Sequence, residues 1–408
     1  MKRVVVTGMA GITSLGSDWA SIESALRAGN NGIVTMDEWD RFEGLNTRLA
    51  GPVTDFSTPA YYGRKRLRTM GRVSKMSVRA SELALEDAGL LDDPVVSDGS
   101  TGVSYGSSAG STDAVSEFGA MLLSDSARSI NATSYIRMMG HTAPVNVGLF
   151  FKAKGRIITT SSACTSGSQG IGYAYEAIRW GQQAVMIAGG AEELCPTESA
   201  VFDVLFATST KNNTPKCTPR PFDRDRDGLV IGEGAGTLIL EELEHAKARG
   251  AKIYAEIIGF GTNSDGSHVT HPESETMARA MTLALEQARI SAEDVDYVSA
   301  HGTATEAGDI AETIATEKVF GPKQPISSLK SYFGHTLGAC GAIEAWLTIK
   351  MMCEGWFAPT INLENVDPSC GSLDYIVGDG RDMDNEIVVS NNFAFGGINT
   401  SLVFKRWC

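Results

Sequence analysis

The sequence predicts an α/β protein built from two similar halves fused across one interface. Three observations lead there. Short β-branched runs alternate with helical patterns along the whole chain, the plan of the first half recurs in the second, and no low-complexity linker separates them. Strands that alternate with helices tend to lie parallel in a sheet covered by those helices. At 408 residues and 42% hydrophobic content, the chain is long enough to bury a large core in such a fold.

Taken in order, RVVVTG (3–8) reads as a strand and SIESALRAG (21–29) as a helix stopped by its glycine. VSKMSVRASELALEDAGL (73–90) has the spacing of a long amphipathic helix, and the strand TGVSYGSSAG (101–110) follows it. RIITTSSA (156–163) is a strand that runs into a helix with an apolar stripe of Ile171, Ala174, Tyr175 and Ile178. AVMIAGGAEE (184–193) is the next strand. In the second half, IYAEIIGFGTNSDG (253–266) repeats the opening pattern of a strand ending in glycines. TMARAMTLALEQARI (276–290) answers to the helix at 73–90, and VDYVSAHGTAT (295–305) to the strand at 101–110. GAIEAWLTIKMMCEG (341–355) is another helix, and EIVVSNNFAFGGINTSLVF (386–404) gives two strands around a glycine loop. The expected halves are residues 1–250 and 251–408, with a cleft between them as the natural place for a ligand.

A net charge of −14 argues against a general nucleic-acid binder, and an acidic partner would need a local basic patch. Seven cysteines with no CxxC pair predict neither a zinc site nor a disulfide framework, and point to free thiols in a reducing cytoplasm. The apolar run in MKRVVVTG is too short for a signal peptide, and no stretch of about 20 apolar residues occurs, so no membrane span is expected. VTGMAGITSLG lacks the GxGxxG spacing of a dinucleotide site. DRDRDG (223–228) opens like a calcium loop, but Gly234 stands where the bidentate glutamate belongs and two arginines fall among the ligands. No metal and no resident cofactor is expected.

SSACTSG draws attention to Cys164. It falls where the strand 156–163 meets a helix, and a helix N-terminus favours a thiolate. Ser161, Ser162, Ala163, Ser166 and Gly167 leave room for a substrate. On its own the residue is open to two readings, a nucleophile or a small core filler. Cys340 and Cys353 lie inside apolar helical patterns and read as core. Two of the six histidines tip the balance. His301 in SAHGTAT follows a strand, and His335 in SLKSYFGHTLGACGA precedes a helix, five residues after Lys330.

With these residues in view, SSACTSG, PFDRDRDGLVIGEGAG (221–236), HGTATEAGD (301–309), LKSYFGHTLGACGAIE (329–344) and NNFAFGGIN (391–399) together resemble the β-ketoacyl–acyl carrier protein synthases. The resemblance implies the thiolase fold, with duplicated halves in a five-layer αβαβα sandwich, usually dimeric. It implies that Cys164 takes an acyl group from carrier protein, and that His301 and His335 hydrogen-bond the enolate oxygen left when a malonyl group loses carbon dioxide. By the same resemblance the backbone amides of Cys164 and Phe395 form the oxyanion hole. Lys330 and Glu344 match a lysine and a glutamate near the histidines, as orienting groups or as a structural pair. Thr303 and Thr305 match threonines that bind the phosphopantetheine arm, through which substrates arrive without any further cofactor. Ala109 matches a position lining the acyl pocket, and Leu229 is a second candidate there.

The run GRKRLRTMGR (63–72) places Arg64, Lys65, Arg66, Arg68 and Arg72 together in an acidic chain. A short charge run is commonly a solvated helix start, while the resemblance makes Arg64, Lys65 and Arg68 docking contacts for acidic acyl carrier protein. The implied partners are that carrier protein and a second subunit, identical or related. YF at 332–333, FAFGGIN and SSACT depart from the usual fatty-acid enzymes and imply a divergent branch of aryl-polyene or polyketide type. Two other readings compete with a condensing enzyme. A chain-length-factor partner would lack the nucleophile, and a thiolase or cysteine hydrolase would use its cysteine and histidine differently.

Overall fold

The computed structural model describes all 408 residues. Its main sheet has eleven strands: β1 (Val4–Ile12), β2 (Thr101–Gly106), β3 (Ile157–Thr159), β4 (Val185–Glu192), β5 (Gly234–Glu242), β6 (Ala255–Ser264), β7 (Tyr297–Ser299), β8 (Pro325–Ser327), β9 (Asp374–Tyr375), β10 (Ile387–Ala394) and β11 (Ile398–Arg406). They run in the order β9-β8-β7-β10-β11-β6-β1-β5-β4-β2-β3. In the first half β3, β2 and β4 are parallel, while β5 and β1 are antiparallel additions. The second half repeats this with β8, β7 and β10 parallel and β11 and β6 antiparallel. Residues 4–6 pair antiparallel with 255–257 and join the two halves.

Eight helices matter here: α1 (Trp19–Arg27), α2 (Arg72–Asp87), α3 (Thr142–Phe151), α4 (Ser166–Arg179), α5 (Pro196–Asp203), α6 (Ser274–Ala288), α7 (Glu306–Phe320) and α8 (Cys340–Glu354). Helices α4 and α8 pack on each other and touch strands of both halves, so they form a central layer. Helices α2 and α3 cover the outer face of the first half, and α6, backed by α7, covers that of the second. The result is the five-layer sandwich. The stripe Ile171, Ala174, Tyr175 and Ile178 is fully buried in the central core beside Trp346, Leu347 and Ile349 of α8. Burying such side chains against both sheets is what holds the layers together.

The two central helices cross closely because glycines face each other. A Cβ on Gly167 would lie 2.8 Å from the Ala342 nitrogen, and one on Gly341 would lie 2.7 Å from the Ser168 nitrogen. That approach brings the N-termini of α4 and α8 to one place, which is where the site forms.

Several expectations need correction. The opening strand continues to Ile12 instead of ending at 8, because β5 offers it a partner as far as Ala235. Only Tyr297–Ser299 of the run 295–305 pairs in the sheet, and His301 belongs to the loop that follows. The thiols are not all free. Cys408 returns to the end of α8 and forms a disulfide with Cys353. No helix is long and apolar enough to cross a membrane.

Candidate active site

Cys164 lies in a single 3-10 turn, Ala163–Thr165, just before α4. Ala163 takes a left-handed backbone, φ 51°, and so does Leu337, φ 44°, at the related turn before α8. A non-glycine residue in that region costs about 1 kcal/mol or more, so surrounding contacts must hold both turns. They do. The Ser166 hydroxyl donates to the Ala163 carbonyl at 2.7 Å and accepts the Ser162 amide at 2.9 Å. On the other side, the His335 amide donates to the Val230 carbonyl at 2.6 Å and the Gly232 amide to the His335 carbonyl at 2.8 Å. Gly334 precedes it at φ 74°, where a Cβ would lie 2.6 Å from the Val230 carbonyl.

The three residues singled out in the sequence meet. Nε2 of His335 is 3.0 Å from the Cys164 sulfur, and the rings of His301 and His335 stand 5.0 Å apart at 88°. All three line one cavity of about 660 Å³ together with Thr303, Thr305, Leu229 and Phe395. The Thr303 and Thr305 hydroxyls are 2.9 Å apart on its wall. Ala109 is half-buried in the loop between β2 and the helix Thr112–Ser124, and does not line this cavity.

The hydrogen bonds fix both tautomers. Nδ1 of His335 accepts the Leu337 amide at 3.3 Å, so its proton sits on Nε2 and points at the sulfur. Asn392 donates one amide proton to Glu344 Oε2 at 2.7 Å and its other to His301 Nδ1 at 3.3 Å. A carboxylate can only accept, so the Asn392 amide cannot be turned round. His301 therefore also keeps its proton on Nε2. Burial, and then the positive charge of Lys330, hold both imidazoles well below the usual histidine value, so both are neutral donors.

The helix-dipole expectation for Cys164 is corrected. Burial pushes the thiol up to about 11, against the opposing pull of the Phe395 amide, Lys330 and its own amide. The resting sulfur is a thiol, and its proton leaves only as the reaction proceeds. The amides of Cys164 and Phe395 both approach this sulfur.

Lys330 and Glu344 form an ion pair that is almost wholly removed from water. Burial works against the Lys330 charge, and the facing Cys340 and Glu344 outweigh it. Burial also pushes Glu344 up, with Lys330 and Asn392 pulling it back. Cys340 is buried as expected and donates to the Cys164 carbonyl at 3.3 Å.

Three supporting residues escaped the sequence reading. Asn392 is in the quoted NNFAFGGIN, but its role depends on Glu344 and His301 meeting it. Glu312 lies in α7, the helix directly after HGTAT, and accepts the His301 and Gly302 amides, both at 2.7 Å. Glu192, at the end of β4, accepts the Ser108 amide at 2.7 Å and the Gly338 amide at 3.0 Å.

Arg64, Lys65, Arg66 and Arg68 are exposed on and beside the one-turn helix Gly63–Leu67, and none is in an ion pair. Arg72 does not belong with them. It is half-buried and bonded to Glu233 and the Val53 carbonyl. The DRDRDG loop is likewise a hub of ion pairs. Its Asp223 takes the Glu364 and Asn365 amides, and Arg226 faces Asp309 and Asp367.

Residues 1–246 match the N-terminal domain of β-ketoacyl synthases, and residues 254–364 match the C-terminal domain. The 3-oxoacyl-[acyl-carrier-protein] synthase 2 of Vibrio harveyi is 38% identical over 413 residues, covering 99% of each chain. The crystal structure of a β-ketoacyl synthase from Burkholderia phymatum STM815 is 62% identical with a TM-score of 0.99, over 100% of both chains. A type II polyketide ketosynthase solved with its acyl-carrier protein and bound to a hexaketide is 30% identical with a TM-score of 0.88, again over 100% of both chains. With both domains matched in order around one Cys–His–His centre, the chain belongs to the β-ketoacyl synthase family.

Proposed function

We propose that this ketosynthase elongates acyl chains carried by acyl carrier protein, in a fatty-acid or a polyene or polyketide pathway, with Cys164, His301 and His335 in the roles below. The Cys164 sulfur attacks the carrier-bound thioester. Its bond to the acyl carbon forms, the bond to the phosphopantetheine sulfur breaks, and the thiol proton ends on that departing sulfur. The amides of Cys164 and Phe395 bind the oxyanion on the way. Malonyl carrier protein then enters along Thr303 and Thr305 and loses carbon dioxide. The electron pair from the broken C–C bond forms an enolate, whose oxygen accepts hydrogen bonds from the Nε2–H groups of His301 and His335. The enolate carbon attacks the acyl carbonyl on Cys164; the C–C bond forms, the C–S bond breaks, and 3-oxoacyl carrier protein leaves with Cys164 released as a thiolate that takes a proton from water.

The observation that carries this reading is the pair of neutral imidazoles with Nδ1 occupied and Nε2–H turned toward the nucleophile. Donors aimed at a charge that appears only in the transition state accelerate the step that makes it. Lys330 and Glu344 act through Asn392 and by the lysine's field, as orienting groups. Arg64, Lys65 and Arg68 are the docking contacts for an acidic carrier protein. The enzyme works in the cytoplasm without a resident cofactor. It pairs with a like or related subunit along the open edge of β3, where Ile157 and Leu149 are exposed.

The test separates the half-reactions. Cys164→Ala abolishes the acyl-enzyme and leaves malonyl decarboxylation measurable. His335→Ala keeps the acyl-enzyme and slows decarboxylation by about 10²–10³-fold, the scale of one oxyanion donor. Carbon dioxide release and intact protein mass read the two steps in variants checked for folding by circular dichroism. A stable adduct on Cys164→Ala, or normal decarboxylation by His335→Ala, refutes the assignment.

A further inference from the structure

Glu198 is an acid without a partner. It stands in the first turn of α5, only 8% exposed, and neither carboxyl oxygen reaches solvent or a well-formed hydrogen bond. A glutamate in that turn can cap the amide at the helix start, but the Cys195 amide gives it only a weak approach. Burial, and then the neighbouring Glu192, push its carboxyl well above the usual range, so it carries a proton. It thus offers one donor and one acceptor, and uses neither. Buried polar groups in native proteins are rarely left so, and an orphan needs a reason.

Its position supplies one. Phe202, four residues on and on the same face of α5, lines the cavity and packs on Phe395 with ring centroids 4.9 Å apart. Phe202 also shares an apolar cluster with Cys164, Leu229 and Ile231. One turn earlier in α5, Glu198 feels Glu192, which also acts on the Cys164 thiol and whose carboxyl accepts the Ser108 and Gly338 amides. Glu198 is not itself in the wall of that cavity; it stands one helical turn behind Phe202, so a chain on Cys164 reaches it only past that ring.

We propose that Glu198 receives a hydroxyl group on the acyl chain held by Cys164, so that the enzyme prefers hydroxylated chains to plain alkyl chains. The inference rests on Cys164 being the acyl acceptor. A hydroxyl both donates and accepts, which matches a protonated carboxyl. An alkyl terminus would leave the acid as unpaired as it stands now, and a carboxylate would be repelled by Glu192 and Glu193. Sites built to bond a hydroxyl discriminate strongly against analogues lacking it, because their own polar group is then stranded.

The experiment uses carrier protein charged with a length series of acyl chains, each made with a terminal methyl and with a terminal hydroxyl. Intact mass follows adduct formation on Cys164 over time. At the length that reaches Glu198, the wild-type enzyme takes the hydroxylated chain about 10- to 100-fold faster. Glu198→Leu loses or inverts that preference, while Glu198→Gln, which still donates and accepts, keeps most of it. Equal wild-type rates at every length overturn the proposal even if a variant fails to fold, and so does a preference that Glu198→Leu leaves unchanged. In both cases adducts still form, and the condensing reading stands. No adduct from any chain refutes Cys164 as the acyl acceptor, and this inference with it.

Discussion

Replacing Asn392 tests how the site chooses the tautomer of His301. Its amide bonds Glu344 Oε2 at 2.7 Å and His301 Nδ1 at 3.3 Å, all out of water. Asn392→Ala removes both donors. The lost bond to His301 is worth about 0.5–1.5 kcal/mol, and stranding a Glu344 oxygen costs about 1–3 kcal/mol more, part of it through misplacement of the ion pair. If about 1–3 kcal/mol of this reaches the transition state, decarboxylation slows by about 5- to 150-fold. Asn392→Asp goes further, because a carboxylate there accepts from Nδ1–H and turns Nε2 into an acceptor facing the enolate. Acylation of Cys164 does not use His301, so its rate holds in both variants. Single-turnover carbon dioxide release from malonyl carrier protein, measured beside adduct formation, reads that split. Decarboxylation by Asn392→Ala within about twofold of wild type, or an equal fall in both half-reactions, refutes the reasoning.

Reversing Arg64 and Lys65 to glutamate raises KM for carrier-bound substrate and flattens its salt dependence, with kcat held, because the patch steers the encounter. Steady-state kinetics across a salt series check this, and unchanged KM at low salt refutes it. Buried titrating groups make stability depend on pH in two opposite ways. His301 and His335 stay neutral in the fold, so below about pH 6.5 the unfolded chain binds more protons and acid destabilises. Glu192, raised to about 7, and Glu312, raised to about 8, both by burial, keep protons that the unfolded chain has lost, so each costs stability as pH climbs from about 4.5 to its own value. Between pH 6 and 8 Glu312 alone gives a loss on the order of 2 kcal/mol, measurable by urea unfolding. Gly167→Ala drives a methyl group against the Ala342 nitrogen, which a Cβ there would approach to 2.8 Å. It destabilises by about 1–3 kcal/mol and slows Cys164 acylation, read by thermal melting and intact mass.

Much of this protein is written locally in its sequence. The alternation of strands and helices, the repeat of one plan in both halves and the buried stripe of α4 all follow from periodicities that a few turns of chain establish. Cys164, His301 and His335 were legible for a similar reason, since each sits in a run of small residues at the end of an element. What the sequence could not decide was environment. The thiol at a helix start reads as activated, yet burial on every side raises it, and burial is a property of the packed whole. Arg72 reads as one of a basic run until Glu233, 161 positions away, claims it. Asn392 holds a histidine 91 positions distant, and Cys353 bonds the last residue of the chain. Nothing in the run around Glu198 sets it apart, and only the packing of α5 strands it. Partners and solvation are set by which distant segments meet, and that is decided when the two halves pack around α4 and α8.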